Sequence, residues 1–163
     1  MFSIIALVSF LYVPPVPPPE EDRMAAAMVL WEARPIPDAD LRASLRTAAS
    51  YVSSEALYRA GLSKRRGYLN WHTALVERLE RRASQTPQAY RLGATRCLAT
   101  GLAYDLTANQ LKDLKAFILT PSGGDFWRYF TSQRPLIECL QAELKKSVGE
   151  GMDAEIAAAR PAR

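Results

Sequence analysis

The stretch from Leu106 to Phe130 constrains the fold most strongly, because it predicts two helices joined by a very short turn. Thr107 is suited to cap the first helix, and Thr120 followed by Pro121 is a strong start for the second, since Thr is a favoured N-cap and Pro suits the first helical position. The first helix has an apolar face, expected to be buried, made of Leu111, Leu114, Phe117 and Ile118. Gly123 and Gly124 favour close packing against a neighbouring helix, and Phe126 and Trp127 follow them. The sequence therefore predicts a helical hairpin around Thr120-Pro121.

Apolar residues recur at helical spacing through most of the remaining chain. The clearest face combines Leu41, Leu45, Ala48, Val52 and Ala56. Helices are expected over about 20–31, 38–60, 63–83, 88–104, 107–118 and 120–148, with Pro135 kinking or splitting the last one near Gln133. The pattern predicts an all-α fold, a compact bundle of five or six helices forming one domain over residues 23–148. A flexible tail over 149–163 follows, with one short helical run over 153–159 that is expected to fray.

The N-terminal segment, residues 1–22, combines an apolar run with a proline-rich linker. The run from Phe2 to Val13 would span about 18 Å as a helix, short of the roughly 30 Å hydrocarbon core of a bilayer. It is therefore a poor transmembrane helix and suits the hydrophobic region of a signal peptide. No Lys or Arg precedes it and no A-x-A cleavage site follows it, so an apolar strand or a docked tail is the alternative.

Two small-residue features bear on the fourth helix. Gly93, Cys97 and Gly101 are spaced four apart, which predicts a groove where another helix approaches closely. Cys97 and Cys139, the only cysteines, are not arranged as CxxC, which excludes a zinc ribbon or a thioredoxin-type motif. They would form one disulfide in an exported chain, or remain two small buried residues in a cytosolic one.

The sequence contains no recognisable catalytic, metal or cofactor site. His72 is the only histidine, and its place beside Trp71 favours a structural or surface role. Asp113 and Asp125 lie near the hairpin without a spacing typical of an acid/base pair. The sequence thus predicts a non-enzymatic protein without a cofactor. An enzyme would need a pocket that brings such residues together with Tyr129 or His72.

Charge is concentrated in the middle of the chain, whose overall net charge is +4. The segment from Arg59 to Arg96 contains nine basic residues opposed only by Glu77 and Glu80, and aromatic residues are interleaved with them. Such a segment suits the solvated outer face of a helical hairpin, or an anion-binding surface. For the second interpretation the candidate residues are Arg65, Arg66, Arg81 and Arg82.

The hairpin also carries a family resemblance. The spacing Leu106-Thr107-x-x-Gln110-Leu111-x-x-Leu114-x-x-Phe117-x-x-Thr120-Pro121-x-Gly123-x-x-Phe126-Trp127 resembles the core of a bacterial helical family, domain of unknown function 2059, over roughly Leu98–Leu140. This chain has Ile118 where that family often has Tyr, and Gly124-Asp125 where it commonly has Lys or Gln. The resemblance implies a small exported helical domain with a signal peptide, and it implies no catalytic residues.

These observations support three hypotheses of function. The first is an exported, periplasmic or secreted helical protein, which acts as a non-enzymatic interaction domain for an anionic surface or an unknown protein partner. The second is a cytosolic module that binds nucleic acid or another polyanion through Arg59–Arg96; it ranks lower because no helix-turn-helix pattern is clear. The third is an enzyme whose site is assembled only in the folded chain.

Overall fold

Helices make up the regular structure of this protein. The computed structural model describes residues 17–131 and 134–160, which form eight α-helices and one 3-10 turn and no strand. The helices are α1 (Glu21–Ala33), α2 (Asp38–Arg59), α3 (Tyr68–Gln85), α4 (Pro87–Asp105), α5 (Ala108–Ile118), α6 (Pro121–Thr131), α7 (Arg134–Val148) and, after the turn Gly149–Gly151, α8 (Met152–Ala158). The predicted all-α bundle is confirmed.

Eight helices are described where five or six were expected. One additional helix is α8, which matches the short helical run expected over 153–159. The predicted long helix over 120–148 is covered by α6 and α7, and residues 132–133 between them lie outside the described residues. The kink or split that Pro135 predicts near Gln133 therefore stays a prediction.

The core lies between two groups of helices. α2 packs against α3 and α7, while α1 packs against α4 and α5, and contacts between α4 and α7 join the groups. Leu57, Leu75, Leu111 and Leu140 are completely buried in this core. The rings of Trp31 and Trp127 lie 4.6 Å apart and fix the end of α1 against α6. Most of the stability of these helices therefore comes from packing of their apolar faces rather than from helix propensity.

Both predicted caps of the hairpin are confirmed. The Thr107 hydroxyl accepts a hydrogen bond from the Gln110 backbone N–H, and the Gln110 side chain accepts one from the Thr107 N–H, which makes a capping box. The Thr120 hydroxyl accepts from the Gly123 N–H at 3.1 Å. These interactions use groups within three residues of one another, which is why the sequence pattern could locate both helix starts.

The first helix begins where the sequence predicts it, but the domain begins before residue 23. α1 begins at Glu21, and the Tyr104 hydroxyl donates a hydrogen bond to the Pro17 carbonyl at 3.0 Å. The prediction of a signal-peptide region falls on residues 1–16, which lie outside the described residues.

The expectation of a flexible tail over 149–163 is wrong for residues 149–160. Ile156 and Ala159 are buried, and the Trp71 indole N–H donates a hydrogen bond to the Ile156 carbonyl at 2.8 Å. A helix of seven residues is not stable alone, so α8 depends on these tertiary contacts. Within α8 only Ile156 is buried, which is too little to produce a clear apolar periodicity. Residues 161–163 lie outside the described part of the chain.

Candidate functional site

Three arginines gather at the C-terminal end of α3. Arg78, Arg81 and Arg82 line a cavity of about 270 Å³ together with Gln85 and with Glu155 from α8. Arg78 donates from Nε to one oxygen of Glu155 at 2.8 Å, and Arg82 donates from a terminal nitrogen to the other oxygen at 3.1 Å. The cavity therefore contains three cations and one carboxylate. We refer to these five residues as the arginine cavity.

Arg81 differs from its two neighbours. Its side chain is exposed and makes no ion pair or hydrogen bond with any described residue, while its backbone carbonyl accepts from the Ser84 hydroxyl. Arg82 also donates to the Ser147 carbonyl at 2.9 Å, which ties it to the end of α7. Two of the arginines thus hold the C-terminal segment in place, and the third has all its donors available.

The four predicted anion-binding residues do not form one site. Arg65 and Arg66 lie in the loop before α3, whereas Arg81 and Arg82 lie in its last turns. The intervening helix separates the two pairs by about 20 Å at 1.5 Å per residue. Sequence analysis did not identify Arg78 and Glu155 as neighbours of Arg81 and Arg82. Arg78 could have been found, because it precedes Arg81 and Arg82 by three and four residues, about one helical turn. No sequence pattern indicated Glu155.

The basic segment is partly neutralised within the fold. Arg59 pairs with Glu55 at 2.5 Å, and Arg91 pairs with Asp38 and also donates to the Ile36 carbonyl. Of the nine basic residues, the five without an ion pair to a described residue are Lys64, Arg65, Arg66, Arg81 and Arg96. The interleaved Tyr90 is buried, and its hydroxyl donates to Ser147. This burial removes Tyr90 as a platform for stacking of nucleic-acid bases.

Trp127 and the two glycines of the hairpin motif lie in close contact with neighbouring segments. Trp127 is buried and its indole N–H donates to the Arg34 carbonyl at 3.2 Å. A methyl group on Gly123 would overlap the Phe117 carbonyl, and one on Gly124 would lie 2.6 Å from a guanidinium nitrogen of Arg34. The predicted close packing at both glycines is therefore confirmed.

The predicted burial of Phe117 is wrong. Phe117 is 45% exposed and Phe126 is 50% exposed, with their ring centres 6.0 Å apart on the outside of the hairpin. Leu111 and Ile118, which share the helix with Phe117, are completely buried. Phe117 lies on the side of α5 that faces α6, so its ring packs against the exposed ring of Phe126 instead of the core.

The two cysteines form a disulfide between α4 and α7. Cys97 and Cys139 are joined, with 5.7 Å between their Cα atoms. Cys139 is buried but Cys97 is exposed, so the alternative of two small buried residues does not describe Cys97.

The groove predicted at Gly93, Cys97 and Gly101 is confirmed at Gly93, where a methyl group would overlap the Glu143 side chain of α7. The prediction is wrong at Gly101, where the space is open.

His72 links α2 and α3. Its Nε2 atom lies 3.1 Å from the Ser50 carbonyl oxygen and 3.1 Å from the Ser54 hydroxyl. The nearby carbonyl favours the form in which Nε2 carries a proton, and such a nitrogen cannot accept a proton from serine. Among the described residues, no carboxylate accepts a hydrogen bond from the His72 ring, as the Asp of a Ser-His-Asp site would. The geometry therefore favours the predicted structural role.

The remaining residues considered for an enzyme site do not line a cavity that the structure describes. Asp113, Asp125 and Tyr129 are exposed. Neither they nor His72 line the arginine cavity or the two further cavities of the described residues. No helix in the described part of the chain is both long and apolar enough to cross a membrane.

A second cavity, of about 370 Å³, lies between α2, α7 and α8. Its apolar wall includes Val52 and Ile156, and its edge includes Glu55, which pairs with Arg59 and, at 2.6 Å, with Lys145. The hydrogen bond from Lys145 lowers the pKa of Glu55 below its ordinary value of 4.5, opposed by burial and aided by the charges of Lys145 and Arg59. This carboxylate therefore bridges two helices in its ionised form.

Substituting Lys145 with methionine is expected to lower stability only where Glu55 is ionised. Because the folded-state pKa is lowered, the pair's contribution is fully present above the ordinary pKa of 4.5 and is lost as the pH falls through the lowered value. The pair is partly exposed, so the effect at pH 7 should be below about 1 kcal/mol. Urea unfolding at pH 7 and pH 3 measures it. K146M is the control, since Lys146 makes no ion pair with a described residue. A K145M effect that is equal at both pH values would contradict this prediction.

No protein-family model, curated protein or solved structure matches this chain. The resemblance of the hairpin to the helical family of unknown function therefore stays a prediction.

Proposed function

We propose that this protein is an exported helical domain of the periplasm or cell envelope, which acts by binding a partner rather than by catalysis. The Cys97–Cys139 disulfide carries the proposal. Disulfides persist in oxidising compartments outside the cytosol and are rare in cytosolic proteins. The apolar run Phe2–Val13 and the resemblance of the hairpin to an exported family point to the same location.

The arginine cavity supplies the chemistry of the partner. Its three guanidinium groups exceed its single carboxylate, so the surface at the end of α3 is cationic. An anionic surface or the acidic groups of another protein would complement this charge. The proposed function is therefore recognition of an anionic partner by a rigid, disulfide-linked helical scaffold.

Mass analysis of the native protein tests the location. The protein is recovered from fractionated cells, its intact mass is measured without reduction, and its thiols are mapped. We expect an extracytoplasmic product that lacks roughly its first twenty residues and has Cys97 joined to Cys139. A full-length cytosolic product with two free thiols would overturn the proposal.

A cytosolic polyanion-binding module remains the second candidate. It is favoured by the exposed group Lys64, Arg65 and Arg66, which makes no ion pair with a described residue. This candidate predicts nucleic-acid affinity that falls linearly with salt in a double-logarithmic plot, with a slope set by the phosphates contacted. Charge reversal at Arg65 and Arg66 would then reduce that slope. Binding without salt dependence would exclude it.

A further inference from the structure

We propose that the arginine cavity is a binding site for a phosphate monoester group, and that Glu155 occupies part of this site as an internal competitor. The inference rests on the proposed function, because it specifies the anionic group that the domain recognises. It concerns Arg78, Arg81, Arg82, Gln85 and Glu155, which line one concave surface of about 270 Å³.

The charge of the cavity selects a dianion. Three guanidinium groups and one carboxylate leave two positive charges uncompensated. A phosphate monoester carries about −1.5 to −2 charges near pH 7, which matches that excess, whereas a carboxylate neutralises only half of it. Glu80 on the same helix pairs with Arg46 across to α2, and it does not line the cavity. Among the described residues, Glu155 is therefore the one carboxylate that lines the cavity.

The geometry leaves suitable donors facing a ligand. Residues 78, 81 and 82 are three and four positions apart, so their side chains leave one face of α3 together. Arg78 uses only its Nε on Glu155 and keeps its terminal nitrogens, and Arg81 keeps all its donors. A guanidinium group presents parallel N–H donors that fit two phosphate oxygens at once. The Gln85 amide, one turn further along, supplies an additional donor.

Glu155 holds two arginines of the cavity together. Its carboxylate accepts from both Arg78 and Arg82 and is only 16% exposed, so it offsets part of their mutual repulsion. A phosphate that binds Arg81 would compete with it for the donors of the other two arginines. Removal of the Glu155 charge should therefore strengthen phosphate binding, even where it weakens the attachment of α8.

The sharpest test compares two arginines that are both unpaired. Inorganic phosphate is titrated into the full chain at low, constant ionic strength, and backbone amide shifts of α3 are followed by NMR. We expect R81Q to weaken binding about tenfold, the equivalent of one charge-assisted hydrogen bond. R96Q is the matched control, because Arg96 is exposed, makes no ion pair with a described residue, and its carbonyl accepts from a hydroxyl as that of Arg81 does.

The outcomes of this titration are decisive for the site. R96Q should bind phosphate as the native chain does, and acetate should bind the native chain about tenfold more weakly than phosphate. An equal loss of phosphate affinity in R81Q and R96Q would show that only the net charge of the protein matters, and it would overturn the proposal. Phosphate that shifts no resonance at the end of α3, or acetate that binds as tightly, would also overturn it.

A second variant tests the internal competitor. E155Q should tighten phosphate binding several-fold, while E150Q, which removes the same charge from the exposed turn before α8, should leave it within about twofold. Unchanged or weaker binding in E155Q would show that Glu155 does not compete.

The source of the phosphate group is distinguished with vesicles. Phosphatidylcholine vesicles are compared with and without phosphatidic acid, whose headgroup is a phosphate monoester. Co-sedimentation that requires phosphatidic acid and is lost in R81Q would assign the site to a membrane surface; binding of free phosphate alone would assign it to a soluble ligand. If neither phosphatidic acid nor free phosphate binds, the proposed site is wrong. The export proposal would still stand, because it is tested by the mass and thiols of the native protein.

Discussion

Replacing Gly123 with alanine is expected to lower the free energy of unfolding by about 3 kcal/mol. The added methyl group would overlap the Phe117 carbonyl oxygen, lying 2.5 Å from the carbonyl carbon and 3.0 Å from the Ile118 Cα. These atoms belong to the backbone at the end of α5, so no side chain can rotate away to relieve the overlap. Relief would require separation of α5 from α6 and would disturb the packing of Trp127 against Trp31.

The matched control is substitution of Gly101 with alanine, which should change the free energy of unfolding in the opposite direction. Gly101 lies in the interior of α4, it is exposed, and nothing lies within 4 Å of the position that a methyl group would take. G101A should therefore raise the free energy of unfolding by up to about 1 kcal/mol, because alanine is a better helix former than glycine. Urea unfolding followed by circular dichroism measures both variants. Similar effects in G123A and G101A would contradict the assignment of Gly123 to a close backbone contact.

Reduction of the Cys97–Cys139 disulfide is expected to cost about 4 kcal/mol. The bond closes a loop of 42 residues, and the entropy that such a loop removes from the unfolded chain corresponds to about that value. It joins α4 to α7, which lie in the two groups of helices that build the core. Because most domains are stable by only about 5–15 kcal/mol, the loss would be a large part of the total.

The C97A/C139A variant separates the bond from side effects of the reductant. Its unfolding should match that of the reduced native protein to within about 1 kcal/mol, and reductant should not change it. The measurement is the urea midpoint of each protein with and without reductant. A native protein whose midpoint is insensitive to reductant would show that the bond is absent or contributes nothing to stability.

Features determined by neighbouring residues were predictable from the sequence. The all-α fold and the helix starts at Thr107 and Thr120 were expected, and the structure confirms them. Each depends on apolar periodicity or on a cap within three residues. Such interactions form between groups that the chain brings together locally, so the pattern of residue types is sufficient to reveal them.

The candidate site could be predicted only in part. Arg81 and Arg82 were identified from charge alone, but their separation from Arg65 and Arg66 follows from the length of α3 and from the position of the preceding loop. Glu155 reaches Arg78 across 77 positions of the chain, and no local pattern marks such a pair. Its pairing depends on α8, whose attachment the sequence did not indicate.

By itself, the sequence determined which segments of this protein form helices, where the hairpin turns and which residue types could bind an anion. Only the tertiary structure decided that α8 packs on the bundle, that Phe117 faces solvent and that Cys97 lies beside Cys139. The physical reason is that helix formation and capping depend on groups a few residues apart. Burial, ion pairing and disulfide formation depend instead on distances between segments, which are fixed only when the helices pack.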